Sequence, residues 1–334
     1  MIRRFILALA TISVLACRGE RAPGGFRVGL VTPGSVADAA WNSGAYQGLL
    51  RIRDSLGASV SQVEAHTPGE QEEALRAYAA QGYELVFAHG FEFQDPAERV
   101  SRQYPKTVII VTSGSRQVGN VAPLVFRLNE ASYLAGMVAG GMTKSNILGF
   151  VGGIKLPPIE AAYQGWVAGA KATNPKVQSR QAYLNSFDDA AAGREQTLAL
   201  IHLGADMFHH NADAAALGLF QAAKESPGVY VFGANGDQSS LAPDRVLGNA
   251  IIDLAHALLS VAEEVKAGTF VPRVESFGLK SGVIRYETSR VLRDRIPPRI
   301  LDRVREASDS IIRNTIEEGG VSGGGGIGAA ATGQ

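Results

Sequence analysis

A single cysteine, few aromatic residues and no net charge restrict this 334-residue chain before any motif is read. With Cys17 alone, no disulfide can form within the chain. Lys plus Arg and Asp plus Glu number 32 each, so no basic surface argues for nucleic acid or another polyanion as partner. Aromatic side chains are 7% of the residues, so one placed in a polar loop needs a reason. Catalytic signals are missing as well. There is no G-x-S-x-G, and the glycines of Gly149–Gly153 lack both the G-x-G-x-x-G spacing and the G-K-[ST] ending that cradle phosphates. His66, His89, His202 and His256 are scattered. His209 and His210 are neighbours on a predicted strand and point to opposite faces, so no metal site or cofactor is expected.

The N-terminus carries the first positive signal. Met1–Cys17, MIRRFILALATISVLAC, has two arginines, an apolar run from Phe5 to Ala16 too short to cross a bilayer, and then the cysteine. Val14-Leu15-Ala16-Cys17 resembles the lipobox at which bacterial prolipoproteins are cleaved and lipidated. Residues 1–17 are therefore expected to be a lipoprotein signal, Cys17 the lipidation site, and 18–25 (RGERAPGG) a flexible spacer. An ordinary signal peptide with an incidental cysteine is the alternative. After Glu318 the chain reads GGVSGGGGIGAAATGQ, a low-complexity tail expected to be disordered over 319–334.

Between these ends, short β-branched runs alternate with helical patterns. Arg27–Val31, Leu85–His89, Val108–Thr112, Leu148–Val151, Met207–His210 and Val229–Gly233 read as buried parallel strands. Gly69–Gln81, Pro96–Gln103, Asn129–Met142, Asp189–Leu203 and Ala214–Glu225 read as amphipathic helices, and the alternation predicts an α/β fold. An echo suggests two such units. Phe26–Leu50 and Asn146–Ala170 each run from a strand through a polar loop to Ala-Tyr-Gln-Gly, at Ala45–Gly48 and Ala162–Gly165. Chance similarity of helix composition is the rival explanation. The G-x-x-x-G spacings at Gly136–Gly140 and Gly165–Gly169 point to close helix packing in a soluble protein.

Open parallel sheets bind ligands beyond the carboxyl ends of their strands. The loops expected to line a cleft between two lobes are therefore 32–42, 89–94, 112–116, 152–160, 185–189, 210–215 and 234–240.

The order of several motifs is specific. D-x-x-W-N-x-x-A-Y-x-G-L from Asp38, N-E-A-S-Y-L-A-G-M-V-A from Asn129, G-F-V-G-G from Gly149, S-F-D-D from Ser186, G-A-D from Gly204 and D-Q from Asp237 follow one another. In this order the sequence resembles the basic membrane protein family, the purine nucleoside receptor type of ABC transporter substrate-binding lipoprotein, from about Phe26 to Lys280. The resemblance implies two Rossmann-like lobes joined by a hinge, the type I periplasmic-binding-protein fold. It further implies a monomer, held outside the cytoplasm by the lipid on Cys17, that closes on a small polar ligand, a nucleoside, and delivers it to a membrane permease. Lobe 1 is expected to comprise 26–127 and 235–270 and lobe 2 to comprise 128–234 and 271–318. The crossings are placed near Val125–Asn129, Gly233–Gly236 and Phe270–Gly278.

Side-chain chemistry gives candidates for the site. A carboxylate accepts hydrogen bonds from both hydroxyls of a ribose, which suits Asp38 and Asp237. Lys280, matching the family's late lysine, could donate to a hydroxyl. An uncharged base needs flat apolar partners and an amide, for which Trp41, Phe187 and Asn42 are suited, with Tyr46 and Phe91 as further aromatic candidates. Each has a rival role: Asp38 or Asn42 as helix cap, Trp41, Tyr46, Phe91 and Phe187 as packing, Lys280 as a solvated surface residue. The sequence also departs from the family. Asn235 stands where an acidic residue is usual, Thr112–Ser113 replaces another acid, and Asp213 with alanines replaces a glycine-rich loop. Asn235 stays a candidate contact, and the ligand need not be an ordinary purine nucleoside. Sugar or other small-molecule binding or sensing on the same fold is the alternative, and hydrolysis by paired carboxylates such as Asp38, Asp237 and Asp188-Asp189 a more remote one.

Overall fold

The structure, a computed structural model, describes residues 25–38 and 40–318, with side chains as far as 313. The expected signal 1–17 with Cys17, all of the spacer but Gly25, and the tail 319–334 lie outside the described residues. In chain order the strands are β1 (Arg27–Thr32), β2 (Ser59–Glu64), β3 (Leu85–His89), β4 (Val108–Thr112), β5 (Val121–Phe126), β6 (Ile147–Gly152), β7 (Gln178–Tyr183), β8 (Met207–Asn211), β9 (Tyr230–Asn235), β10 (Val246–Ile252), β11 (Glu275–Phe277) and β12 (Ile284–Thr288). The helices are α1 (Trp41–Leu56), α2 (Pro68–Ala80), α3 (Gln94–Ser101), α4 (Leu128–Met142), α5 (Pro157–Thr173), α6 (Ala190–His202), α7 (Ala216–Glu225), α8 (Leu254–Ala267) and α9 (Pro298–Glu318).

Two six-stranded sheets result, ordered β11-β5-β4-β3-β1-β2 and β12-β10-β9-β8-β6-β7. Every pairing between these strands is parallel except β12 against β10. The first five strands of each sheet run in the order 2-1-3-4-5, and a late strand closes the far edge of each. The Ala-Tyr-Gln-Gly echo is thus the first helix of each unit. Gly48 in α1 lies against the Ala255 backbone of α8, and Gly165 in α5 against the Asn129 carbonyl of α4. Each glycine lets the first helix of its unit approach a helix that has just crossed over from the other sheet.

β2, β5, β7, β10, β11 and β12 are strands that periodicity did not reveal. β2 and β7 are sheet edges, half-exposed and rich in Ser, Gln and Glu, so they carry no apolar run to read. β10 is buried throughout, but Gly248-Asn249 interrupts its apolar pattern. The presence of β10 displaces one expected crossing. The chain does not leave the second sheet at Gly233–Gly236; β9 is followed by β10 in the same sheet, and the crossing comes at Ile252–Leu254. The segment 235–270, expected in the first lobe, is therefore divided: β10 stays with the second sheet, and α8 packs on α1. Likewise β11, expected in the second lobe, pairs with β5 of the first sheet. The other crossings fall at Phe126–Leu128 and at Phe277–Leu279. They lie side by side, for Phe126 stacks on Phe277 with ring centroids 5.9 Å apart, and the Arg127 amide donates to the Phe277 carbonyl at 2.8 Å.

The contact of α4 with α5 is unusually close. A methyl group at Gly136, Gly140, Gly165 or Gly169 would fall on the facing backbone carbonyl of Trp166, Ala170, Asn129 or Tyr133 respectively. Backbone shifts of this kind cost about 1–3 kcal/mol. Gly169→Ala is therefore expected to lower the melting temperature by several degrees, whereas Gly69→Ala, on α2 with open space around it, should leave it nearly unchanged. Equal effects of the two substitutions would contradict the close-packing account.

Candidate functional site: a cavity between the two sheets

The carboxyl ends of the strands in both sheets open onto one cavity of about 420 Å³. From the first sheet come Pro33 and Gly34 after β1, Gly90, Phe91 and Glu92 after β3, and Ser113 after β4. From the second come Ile154 and Leu156 after β6, Ser186, Phe187 and Asp188 after β7, Asn211 and Asp213 at the end of β8, and Asn235 at the end of β9. The crossings add Phe126, Leu128 and Ile252. The two units meet at Gly34, where a Cβ would lie 3.6 Å from both Asn42 Nδ2 and Asp188 Oδ1. Ser113, Asp213 and Asn235 hold left-handed φ values of 56°, 45° and 66°, uncommon for residues other than glycine. Backbone held in this way often marks a ligand site.

Trp41 is fixed by two neighbouring rings. Its indole stacks on the His89 imidazole, centroids 4.1 Å apart and planes 24° apart, and meets the Phe126 ring edge-on. His89 is fully buried, and burial pushes its pKa down to about 3, so it is neutral. A carbonyl can only accept, so His89 Nε2–H donates to the Trp41 carbonyl at 3.1 Å, and Nδ1 is left to accept from the Thr112 hydroxyl at 2.9 Å. Asn42, one residue on, is 4% exposed and lines the cavity with Oδ1 lacking a hydrogen-bond partner. Across the cavity, Phe187 lies over Gly153, where a Cβ would run into its ring, and its carbonyl accepts the Ala215 amide at 2.8 Å.

Of the residues predicted from sequence, the fold thus brings Trp41, Asn42, Phe91, Phe187 and Asn235 to one cavity. Asp38, Tyr46, Asp237 and Lys280 do not line it. Asp38 is the cap of α1: Oδ1 accepts the Ala40 and Ser43 amides at 3.1 and 2.9 Å, and Oδ2 accepts the Asn42 amide at 2.7 Å. Tyr46 is half-buried against the core. Asp237 is exposed, its Oδ1 accepting the Ser239 amide and Asn249 Nδ2 at the turn after β9. Lys280 is exposed in the turn at Leu279–Ser281.

Three carboxyls outside the predicted ligand contacts do line the cavity: Glu92, Asp188, named only for the remote hydrolytic alternative, and Asp213, noted only as a departure from the family. All lie in loops recognised as cleft-facing, but nothing in a linear sequence shows that the three loops converge. Asp213 is 8% exposed, its Oδ1 3.4 Å from Asn235 Nδ2. Burial holds its pKa well above the usual carboxylate range, and the charges of Asp38, Glu92 and Asp188 add to the shift. Burial raises Glu92 too, whose carboxylate folds back over Gly90. Among the described residues no group of three or more His, Cys, Asp or Glu is placed to hold a metal ion.

Two parallel sheets facing each other across three crossings, with a polar and aromatic cavity at the shared carboxyl edges, define a two-lobed solute-binding protein. A family model described as "ABC transporter substrate-binding protein PnrA-like" matches residues 26–316, and the chain belongs to that family. It is 31% identical over 267 residues to basic membrane protein A1 of Borrelia garinii subsp. bavariensis, covering 78% of this chain and 79% of that protein. It is 29% identical over 341 residues to the ABC transporter nucleoside-binding protein BmpA of Lactococcus lactis subsp. cremoris, covering 93% and 96%. Among solved structures, an ABC transporter solute-binding protein from Aeropyrum pernix K1 superposes with a TM-score of 0.80 at 22% identity, over 87% of this chain and 92% of that one. One from Conexibacter woesei superposes with a TM-score of 0.70 at 27% identity, over 87% and 97%. The expected fold, two Rossmann-like lobes of the type I periplasmic-binding-protein class, is the observed one, and the chain is an ABC transporter substrate-binding protein.

The raised pKa of Asp213 has a measurable sign. The folded chain binds this proton more tightly than the unfolded chain, so Asp213 costs stability increasingly as pH rises above about 4. Asp213→Asn, which also suits a left-handed backbone, is expected to raise the melting temperature at neutral pH, with the difference vanishing towards pH ~4. A lower melting temperature for the variant at neutral pH would contradict the burial of an uncompensated carboxyl here.

Proposed function

We propose that the protein captures a nucleoside between its lobes and delivers it to an ABC permease, acting as a monomer outside the cytoplasm and tethered by a lipid on Cys17. The observation that carries the ligand class is that Trp41 of the first unit and Phe187 of the second line one cavity together with Asn42, whose Oδ1 is unpartnered. Flat apolar walls suit a heterocyclic base, a free amide oxygen accepts from an exocyclic amine, and the cavity carboxylates accept from ribose hydroxyls. The Lactococcus relative is named for nucleoside binding, which supports the same reading. The tether rests on the lipobox-like Val14–Cys17; among the described residues no helix is long and apolar enough to cross a membrane.

Capture works by closure. The units built on the two sheets rotate about the crossings at Phe126–Leu128, Ile252–Leu254 and Phe277–Leu279, and a ligand touching both walls stabilises the closed form. Trp41 is the natural reporter, because its indole forms part of one wall while Trp166, the other tryptophan, is buried in the core.

A thermal-shift screen of the chain beginning after Cys17, against nucleosides, free bases, pentoses and hexoses, tests the reading. Ligand at 100 times its Kd adds about 2.7 kcal/mol, a shift of several degrees. Nucleosides are expected to stabilise, and ribose or base alone to do so far less. Trp41→Ala and Phe187→Ala should each weaken binding at least about tenfold without unfolding the chain. A response to hexoses alone would overturn the nucleoside assignment and leave the fold class untouched.

A further inference from the structure

Apart from His66 at the rim, the ionisable side chains that line the cavity among the described residues are all carboxyls. Glu92 comes from the first sheet, Asp188 and Asp213 from the second, and Asp38 lies close enough behind them to act electrostatically on Asp213. Among the described residues no lysine or arginine lines the cavity. Two basic side chains at or beside the lining have acidic neighbours. Lys155 sits between two lining residues but faces Glu160 at 3.9 Å and the Tyr183 ring, and His66 at the rim lies 3.9 Å from Glu64. Hydrogen bonds satisfy Asp38 through the α1 amides, yet among the described residues the Asp213 carboxyl meets only the Asn235 amide, at 3.4 Å. A second observation points to a ligand at the same place: Asn42, 4% exposed, has Oδ1 unpartnered and Nδ2 beside the point where Asp188 approaches Gly34.

A neutral nucleoside offers hydroxyl donors to such a site but does not offset its charge. An aromatic cation suits both features, since the rings of Trp41 and Phe187 in the lining attract positive charge and the carboxyls of the same lining offer it a counter-charge at low local dielectric. Metal ions do not fit the same role, because the carboxylates are not grouped as ligands around a common point among the described residues. Resting on the nucleoside reading, we propose that the cavity selects nucleosides whose base carries a fixed positive charge, an N-alkylated ring, over their neutral counterparts, and rejects phosphorylated ones. Asp213 and Glu92 are the residues that set this preference.

The test compares ligands of one size and different charge by calorimetry at neutral pH. Adenosine, its cationic 1-methyl form, neutral N6-methyladenosine as a control for the added methyl, and adenosine 5′-monophosphate form one series. Cytidine and cationic 3-methylcytidine form a second. The cationic member of each pair is expected to bind about tenfold or more tightly than the neutral one, and the monophosphate not to bind measurably. Asp213→Asn and Glu92→Gln should each reduce the cation-to-neutral ratio, and together bring it close to one. Equal affinities for cationic and neutral nucleosides would overturn the proposal while leaving nucleoside capture standing. A preference unchanged in both variants would also overturn it, because the carboxylates would not be its source. Failure of every nucleoside to bind would remove this proposal and the function reading together.

Discussion

Three neighbouring chain crossings hold the carboxyl edges of two parallel sheets face to face, and the rest of the molecule follows from that constraint. A parallel strand delivers its loop and the next helix N-terminus at its carboxyl end. Turning two such edges towards each other therefore concentrates loop side chains, free amides and helix starts in one place. Two of the crossings are tied together by the Phe126–Phe277 stack and the Arg127 amide to the Phe277 carbonyl. Two of the three crossings line the cavity as well as connecting the lobes, through Phe126, Leu128 and Ile252. A ligand resting there touches the segments that must rotate when the lobes move.

The repeat of the two units is physical as well as topological. In both, the first helix packs through a glycine on a helix that arrives from the opposite sheet. The α4–α5 contact takes this further, with four glycines placing helix backbones against each other's carbonyls. Close backbone contact of this kind tolerates little sliding, so each lobe is suited to move as a body and to leave the adjustment to the crossings.

Polar groups in the cavity divide into those the protein satisfies and those it does not. His89 is satisfied at both nitrogens and serves Trp41, and Asp38 is satisfied by the start of α1. Asn42 Oδ1 has no partner, and Asp213 is buried among like charges. Buried polar groups left in that condition are costly. Their persistence at the meeting point of two lobes is understandable if a ligand completes them.

Much of the fold was legible in the sequence. Alternating buried runs and amphipathic helices determined the α/β class, since strands covered on both faces must be apolar and the helices between them must show one apolar face. The order of motifs around Trp41, Asn129 and Phe187 indicated the family. The aromatic and amide candidates reached the cavity because they sit just beyond strands, a position readable along the chain. What the sequence could not determine was register and convergence. Edge strands β2 and β7 lack an apolar pattern, and the Gly248-Asn249 break concealed β10 and so misplaced a crossing by one strand. Asp38 and Asp237 resembled ribose ligands in type but spend their oxygens on local backbone and amide donors. Glu92, Asp188 and Asp213 are far apart in sequence and in separate loops, and only the facing of the two sheets brings their charges together, because electrostatic coupling depends on distance in space and not along the chain.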